Sequence, residues 1–567
     1  MKFQDMPYER PDLAKIKADI SALTERFANA SSFEEAEKVF LEKDQLAGHI
    51  LTLQTLVEIR HSINTLDEFY DKEQQFWNDA SPEIEEADDA WSAALLASSF
   101  RPEFEAKYGT LIFDKAEQDR RCFSPAIMDE MKRENALVQA YEKLIASAQI
   151  EFEGGMYTLS QLAPQKHDKD DARRLAAWKA EGSWYKDNQS ELDRIYDELV
   201  HVRDAMGKKL GYDNYLPLGY DRMERLSYKR EDVERFRKAV RTYVVPVANR
   251  VFLEQAKRIG RPYPLSFADE GLTFRSGNPL PEGTPDDIVA AARSFYSELS
   301  PETKEFFETM LNGQLMDLLS TKGKAAGGYM TEIPDHKVPF IFANFNGTQG
   351  DVDVMTHEAG HAFSYYMNTQ RVPGLLAMPS SEACEVHSMS MEFLAWPWIE
   401  GFFGKDARKY RYAHLAGALT FIPYGTMVDH FQHLMYEQPE LTPAERHATW
   451  RRLLAIYMPW VSVDGDIPFY GDGMGWQRQI HIYEWPLYYI DYCLAQTVAL
   501  EIWELSQEDF ANAWKHYMAY TRQGGTKAFT DLVAGAELVS PFDEACLRSV
   551  CEHASKWLDS YDLTGIE

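Results

Sequence analysis

His357-Glu358-Ala359-Gly360-His361 constrains this chain more than any other stretch. Two imidazoles four residues apart share a face only if the backbone is helical, so the motif predicts a helix with one functional face. Both histidines can then address one metal ion, while Glu358 lies beside them, next to any bound water. A catalytic zinc takes three protein ligands and keeps a further position open, which brings the pKa of bound water to about 7. The motif therefore points to a zinc hydrolase, with His357 and His361 as ligands and Glu358 as general base. The plainer alternative is an amphipathic helix that meets the pattern by chance.

The rest of the chain reads as mainly α. From Pro11 to about Ala148 it forms successive amphipathic segments with helix-start signals at Ser32-Phe33-Glu34-Glu35 and Ser81-Pro82. The apolar spacing between Glu34 and Ile63 does not hold a heptad, so packed helices are expected there and not a coiled coil. Ile150-Glu151-Phe152-Glu153, Gly154-Gly155 and the following Met156-Tyr157-Thr158-Leu159 read as a hairpin. Helical pattern resumes to Tyr243, and Arg261 to Pro285 is a long Gly/Pro/Asp-rich loop. At 567 residues the chain exceeds what one core usually serves, so two lobes are expected. A boundary near residue 170 would leave a helical domain over 1–170 and the motif within 171–567.

Just before the motif, Val338-Pro339-Phe340-Ile341-Phe342-Ala343-Asn344-Phe345 is short, apolar and aromatic, which reads as a strand. Its proline assigns it to a sheet edge. Such an edge could pair with an extended peptide through main-chain hydrogen bonds, or simply close a small structural sheet. Gly347 and Gly350 end the strand, and Asp351 or Asp353 is placed to cap the helix that carries His357.

Glu382, Glu385 and Glu392 all follow on one face of a next helix, so spacing leaves the third ligand open among them. A metzincin would carry Gly and His at Ser364 and Met367, and thermolysin-like or aminopeptidase-like spacings would carry Glu at Ser381 or Ser380. The run Glu385-Val386-His387-Ser388-Met389-Ser390-Met391-Glu392 resembles that of the thimet oligopeptidase and oligoendopeptidase F family of zinc metallopeptidases, which includes the Pz-peptidase-like branch. Gly327-Gly328-Tyr329, Asn344-Phe345 and Gly360 resemble that family too. The resemblance implies Glu385 as third ligand to one Zn2+ ion, Glu392 as a carboxylate that orients a ligand histidine, and Glu382 as a bystander. It also implies that His481, Tyr488, Tyr489 and Tyr492 bind substrate and stabilise the oxyanion. Without it, a tyrosine cluster reads as packing, with Pro486 in the first turn of its helix. The family further implies a two-lobed helical body around a deep channel, a small sheet beside the zinc helix, and short unfolded oligopeptides as substrates.

Gly471-Asp472-Gly473-Met474-Gly475 lacks the strand and helix of a dinucleotide site and reads as a loop. His430 and His433 beside Asp429 read as helix surface, and His387 as local packing. A formal net charge of -31 argues against nucleic acid or an anionic membrane as partner. Five cysteines without a CxxC pair read as free thiols, with Cys384 and Cys493 beside site residues. With no apolar run of membrane-spanning length, the expected location is cytoplasmic, and the oligomeric state is left open. The expected activity is cleavage of internal bonds in oligopeptides. A zinc carboxypeptidase of similar body, which would need a basic residue for the substrate carboxylate, and a non-catalytic peptide-binding scaffold are the alternatives.

Overall fold

The polypeptide is held in place around the motif by helices that begin where the sequence provides caps. A computed structural model describes residues 1–463 and 466–566. Ser32 Oγ accepts from Glu35 N at 3.2 Å and opens the helix Phe33–Ile63. Asp67 does the same for Glu68–Leu96, accepting from Phe69 N and Tyr70 N. Ser81-Pro82 is not a helix start, because Pro82 lies inside Glu68–Leu96. The Asn78 carbonyl that Pro82 cannot serve accepts instead from Asn135 Nδ2 at 3.0 Å, which removes much of the cost of a helical proline. These first helices bury Phe27, Phe40, Trp91 and Phe104 in one cluster and Ile20, Leu53, Val57 and Trp77 in another.

The hairpin forms as expected, with Ile150–Phe152 paired to Gly155–Tyr157 in antiparallel register. Its turn is Glu153-Gly154, both at positive φ (50° and 79°), one residue earlier than the Gly-Gly reading. The following helices run to a long loop before the helix Pro285–Leu299. Within that loop Leu265–Ser266 makes a short parallel bridge with Val461–Ser462. The chain is mainly helical, and its largest core extends from Met6, Leu56 and Ile59 to Leu558 and Ile566. Among the described residues no helix is long and apolar enough to cross a membrane.

The small sheet overturns the edge assignment. Val338–Phe345 is the middle strand, parallel to Met316–Leu319 on one side and antiparallel to Tyr329–Ile333 on the other. Pro339 is tolerated for a local reason. Ile341 N–H donates to Leu315 O at 2.9 Å, toward the parallel neighbour. Two residues earlier the backbone nitrogen of Pro339 faces the same side, where pairing has not yet begun, since the parallel register starts at Ile341. The edge strand beside the motif is therefore Tyr329–Ile333.

The motif helix, Gly350–Asn368, follows the middle strand. Neither aspartate caps it. Gln349 is the N-cap residue, Asp351 accepts from Asn346 N (2.9 Å) and Gly347 N (2.8 Å) to fold the preceding turn, and Asp353 accepts from Tyr410 OH at 2.7 Å. This helix crosses the helix Ser381–Leu394 at Gly360. A Cβ on Gly360 would come within 2.6 Å of Ser388 Cα and 2.7 Å of His387 O, so only glycine permits this backbone approach. Gly360→Ala is expected to destabilise the fold by about 1–3 kcal/mol, measured by denaturant unfolding, because rigid backbone and not a movable side chain meets the new methyl.

Candidate active site

The crossing at Gly360 brings three candidate ligands together. His357 Nε2 and His361 Nε2 lie 3.1 Å and 3.3 Å from Glu385 Oε2, and the three ligand atoms fall within 4.8 Å of one another. Among the described residues this is the one such cluster of His, Cys, Asp and Glu. Glu392 Oε1 accepts from His357 Nδ1 at 2.7 Å, so the Nε2 lone pair of His357 faces a carboxylate oxygen. Two acceptors at that distance need a proton or a cation between them. Burial disfavours the His357 cation, but Glu385 and Glu392 outweigh it and push its pKa well above the ordinary histidine range. Burial likewise pushes Glu385 up, and the two histidines more than offset it, holding the carboxyl well below its ordinary range. The donor set, two imidazoles and one carboxylate with a carboxylate behind one imidazole, fits zinc.

Glu358 is buried beside the ligands, and burial raises its pKa against the pull of His357 and His361. A base of raised pKa is better matched to neutral pH. The chain passes over it at Gly328, where a Cβ would sit 3.8 Å from Glu358 Oε1.

The other predicted residues arrive from the segment after Gln477, whose position is set by distant parts of the chain. Buried Arg203 donates to Tyr483 O at 2.5 Å, and Tyr141 donates to Gln477 O at 2.9 Å while stacking on Tyr483. Arg225 donates to Leu487 O at 2.5 Å and to Asp491 Oδ1 at 3.0 Å. Leu487 N donates to Gln432 Oε1 at 2.8 Å, which holds Leu487 at φ 68°. Pro486 consequently lies in the turn between Ile480–Glu484 and Tyr489–Glu508, not in the first helical turn.

His481, Tyr488 and Tyr492 line the same cavity of roughly 630 Å³ as His357, Glu358, His361 and Glu385. Tyr488 OH donates to Glu385 Oε1. Gln479 Nε2 donates to His481 Nδ1 at 3.0 Å, and burial lowers the His481 pKa to about 4, so the ring is neutral with its proton on Nε2. That proton is donated to Tyr492 OH at 3.1 Å, so the phenol does not spend its own hydrogen on His481. Tyr489 does not line the cavity: it is 8% exposed and packs behind His481 against Phe421 and Tyr424.

Several bland readings change. Glu382 is buried, with Oε2 lacking a hydrogen-bond partner, and burial and Asp491 push its carboxyl well above the ordinary range. His433 is buried, not on the surface, and meets Tyr220 OH at 3.0 Å. His387 packs locally as expected, against Ser364 Oγ at 3.1 Å. Cys384 lines the cavity, and burial raises its thiol pKa, which keeps it protonated. His414, which no spacing singled out, donates from Nε2 to Glu392 Oε2 at 2.8 Å. Its only sequence signal is a histidine inside a long helical segment.

Comparisons with known proteins place the chain in a family. The Peptidase M3 N-terminal domain family matches residues 3–123, and Peptidase family M3 matches residues 299–551. The solved structure of Pz peptidase A with an inhibitor is 44% identical, with 99% of this chain and 100% of that chain covered at a TM-score of 0.97. The chain belongs to peptidase family M3. A Bacillus anthracis protein assigned as an oligoendopeptidase F is 42% identical over 99% of both chains, with a TM-score of 0.93. Oligoendopeptidase F from Enterococcus faecium, 14% identical over 97% of this chain and 98% of that one, shares the fold at a TM-score of 0.61. No curated protein matches the chain. Its membership makes it a peptidase of a metallopeptidase family.

If the cluster holds zinc, Glu385→Ala would weaken its binding by more than ~100-fold, because the change removes one of the three candidate ligands and not a supporting group. Glu382→Gln should keep zinc and change stability. The raised pKa means the native state holds a proton that the unfolded chain releases, so stability falls as pH rises through the carboxylate range. The variant should flatten that fall between pH 5 and 8 in denaturant unfolding, while equilibrium dialysis reports zinc.

Proposed function

We propose that this protein is a zinc-dependent endopeptidase that hydrolyses internal bonds of short, extended oligopeptides. The observation that carries the reading is the convergence of His357, His361 and Glu385 on one point beside Glu358. Bound there, zinc would polarise the scissile carbonyl and acidify a water molecule. Glu358 takes that water's proton on its carboxylate and returns it to the departing amine, a role its burial and raised pKa support. The Tyr492 hydroxyl, held by neutral His481, donates to the developing oxyanion, and Tyr488 stands ready beside Glu385.

Substrate alignment belongs to the outer strand in this reading. Tyr329–Ile333 pairs on one side only, and Gly328 to Glu332 line the cavity. A peptide added to that strand would be extended and recognised through its main chain. The opposite wall comes from helices before residue 170, through Glu58, His61 and Glu142. We therefore read 1–170 as a domain that encloses the catalytic 171–567. Among the described residues that line the site's cavity there is no Lys or Arg, which supports an endopeptidase over a carboxypeptidase that must pair a substrate carboxylate. The five free cysteines support a reducing, cytoplasmic setting.

Glu358→Gln should retain zinc and lose activity by roughly 10²–10⁴-fold, with metal content and rate measured on one preparation. Loss of both together would assign Glu358 a structural role. An internally quenched, C-terminally amidated peptide of roughly ten residues should be cut at internal bonds, while a native globular protein resists. Mass spectrometry of the fragments decides, and removal of single C-terminal residues from a free-acid peptide with no cleavage of the amide would favour the carboxypeptidase.

A further inference from the structure

Behind the metal ligands runs a hydrogen-bond chain whose direction is fixed at its far end. An indole N–H can only donate. Trp396 Nε1 donates to His414 Nδ1 at 3.0 Å, and a ring nitrogen that accepts carries no proton. His414 is therefore neutral, with its hydrogen on Nε2, and that N–H donates to Glu392 Oε2 at 2.8 Å. With Oε2 so occupied, Oε1 is the oxygen that meets His357 Nδ1 at 2.7 Å. An ionised carboxylate only accepts, so His357 carries its proton on Nδ1 and turns the Nε2 lone pair toward His361 and Glu385.

The His414 ring is itself held rigidly. It lies nearly parallel to Tyr410, with centroids 5.2 Å apart at 10°, and against Phe393 at 4.6 Å. Tyr410 donates to Asp353 Oδ1 at 2.7 Å, one helical turn before His357. The helix Ala407–Glu437 thus holds the motif helix directly at Asp353 and reaches His357 through Glu392 of the helix Ser381–Leu394. His414 is 7% exposed and is absent from the cavity lining, so it touches neither metal nor substrate.

We propose that His414 is a positioning residue: through Glu392 it fixes the tautomer and ring orientation with which His357 presents its lone pair to the metal. This inference rests on reading His357, His361 and Glu385 as a zinc centre. Its physical basis is the cost of leaving a largely enclosed carboxylate oxygen without its donor, a cost Glu392 lowers by turning away from His357.

The test measures zinc affinity by chelator competition on wild type, H414F and H414Q, with circular dichroism of the metal-free proteins. H414F keeps a ring in the stack but has no N–H, whereas the H414Q amide carries an N–H near the position of Nε2. H414F should bind zinc ~10–100-fold more weakly with helicity unchanged, and H414Q should recover most of that loss. Wild-type affinity in H414F overturns the proposal. So does an equal loss in both variants, because ring bulk and not the N–H would then matter. Should H414F fail to fold, W396F decides: freed from its indole donor, His414 can take either tautomer, so folded W396F should bind zinc several-fold more weakly, and unchanged affinity overturns the proposal. Failure of wild type itself to bind zinc overturns the metal-centre reading, and this inference falls with it.

Discussion

Everything at the site depends on two helices meeting backbone to backbone at Gly360. His357 and His361 belong to one helix and Glu385 to the other, so the ligand atoms converge only while Ser388 Cα can occupy the space where a Cβ would stand. The motif's glycine is thus a packing requirement and not a chemical one. Close approach also shortens the path to Glu392, which reaches His357 from the same helix as Glu385.

The opposite side of the cavity is fixed by buried cations. Arg203 and Arg225 are almost fully enclosed, each pairs with a carboxylate, and each spends a further hydrogen bond on a backbone carbonyl near His481 or Tyr488. Burying a guanidinium is expensive unless its donors find partners: Arg203 uses Nε, Nη1 and Nη2 in this way and fixes the backbone at Tyr483, whereas Arg225 reaches Leu487 and Asp491 through Nη2 alone. Rigid backbone on both walls suits a site whose polar groups must face a reacting bond without first reorganising. Glu58, Glu142 and Glu332 also line the cavity, and desolvation pushes all three carboxyls above their ordinary range.

Three prolines show where reading from sequence loses its grip. Each marks a missing N–H, and local rules therefore assign Pro82 to a helix start, Pro339 to an edge strand and Pro486 to a first turn. In the fold, Asn135 serves the carbonyl that Pro82 leaves, Pro339 faces a side not yet paired, and Pro486 precedes a left-handed Leu487 held by Gln432 and Arg225. The rule about proline concerns its partner, and the partner is distant in sequence. The same reason hides His414, whose link to Glu392 crosses between helices.

What the sequence determined by itself is what period and pattern can carry. A spacing of four placed His357 and His361 on one helical face, the Glu385 to Glu392 run pointed to the family, and alternating residues around Glu153-Gly154 gave the hairpin. Local backbone geometry repeats, so these relations survive without knowledge of the fold. Tertiary structure alone decided that Tyr329–Ile333 is the edge strand on the cavity, that Tyr488 and Tyr492 face the cavity while Tyr489 packs behind, and that Glu382 is buried with one carboxylate oxygen unpartnered. Those outcomes depend on which surfaces exclude water from one another, a property of packed elements that no single segment encodes.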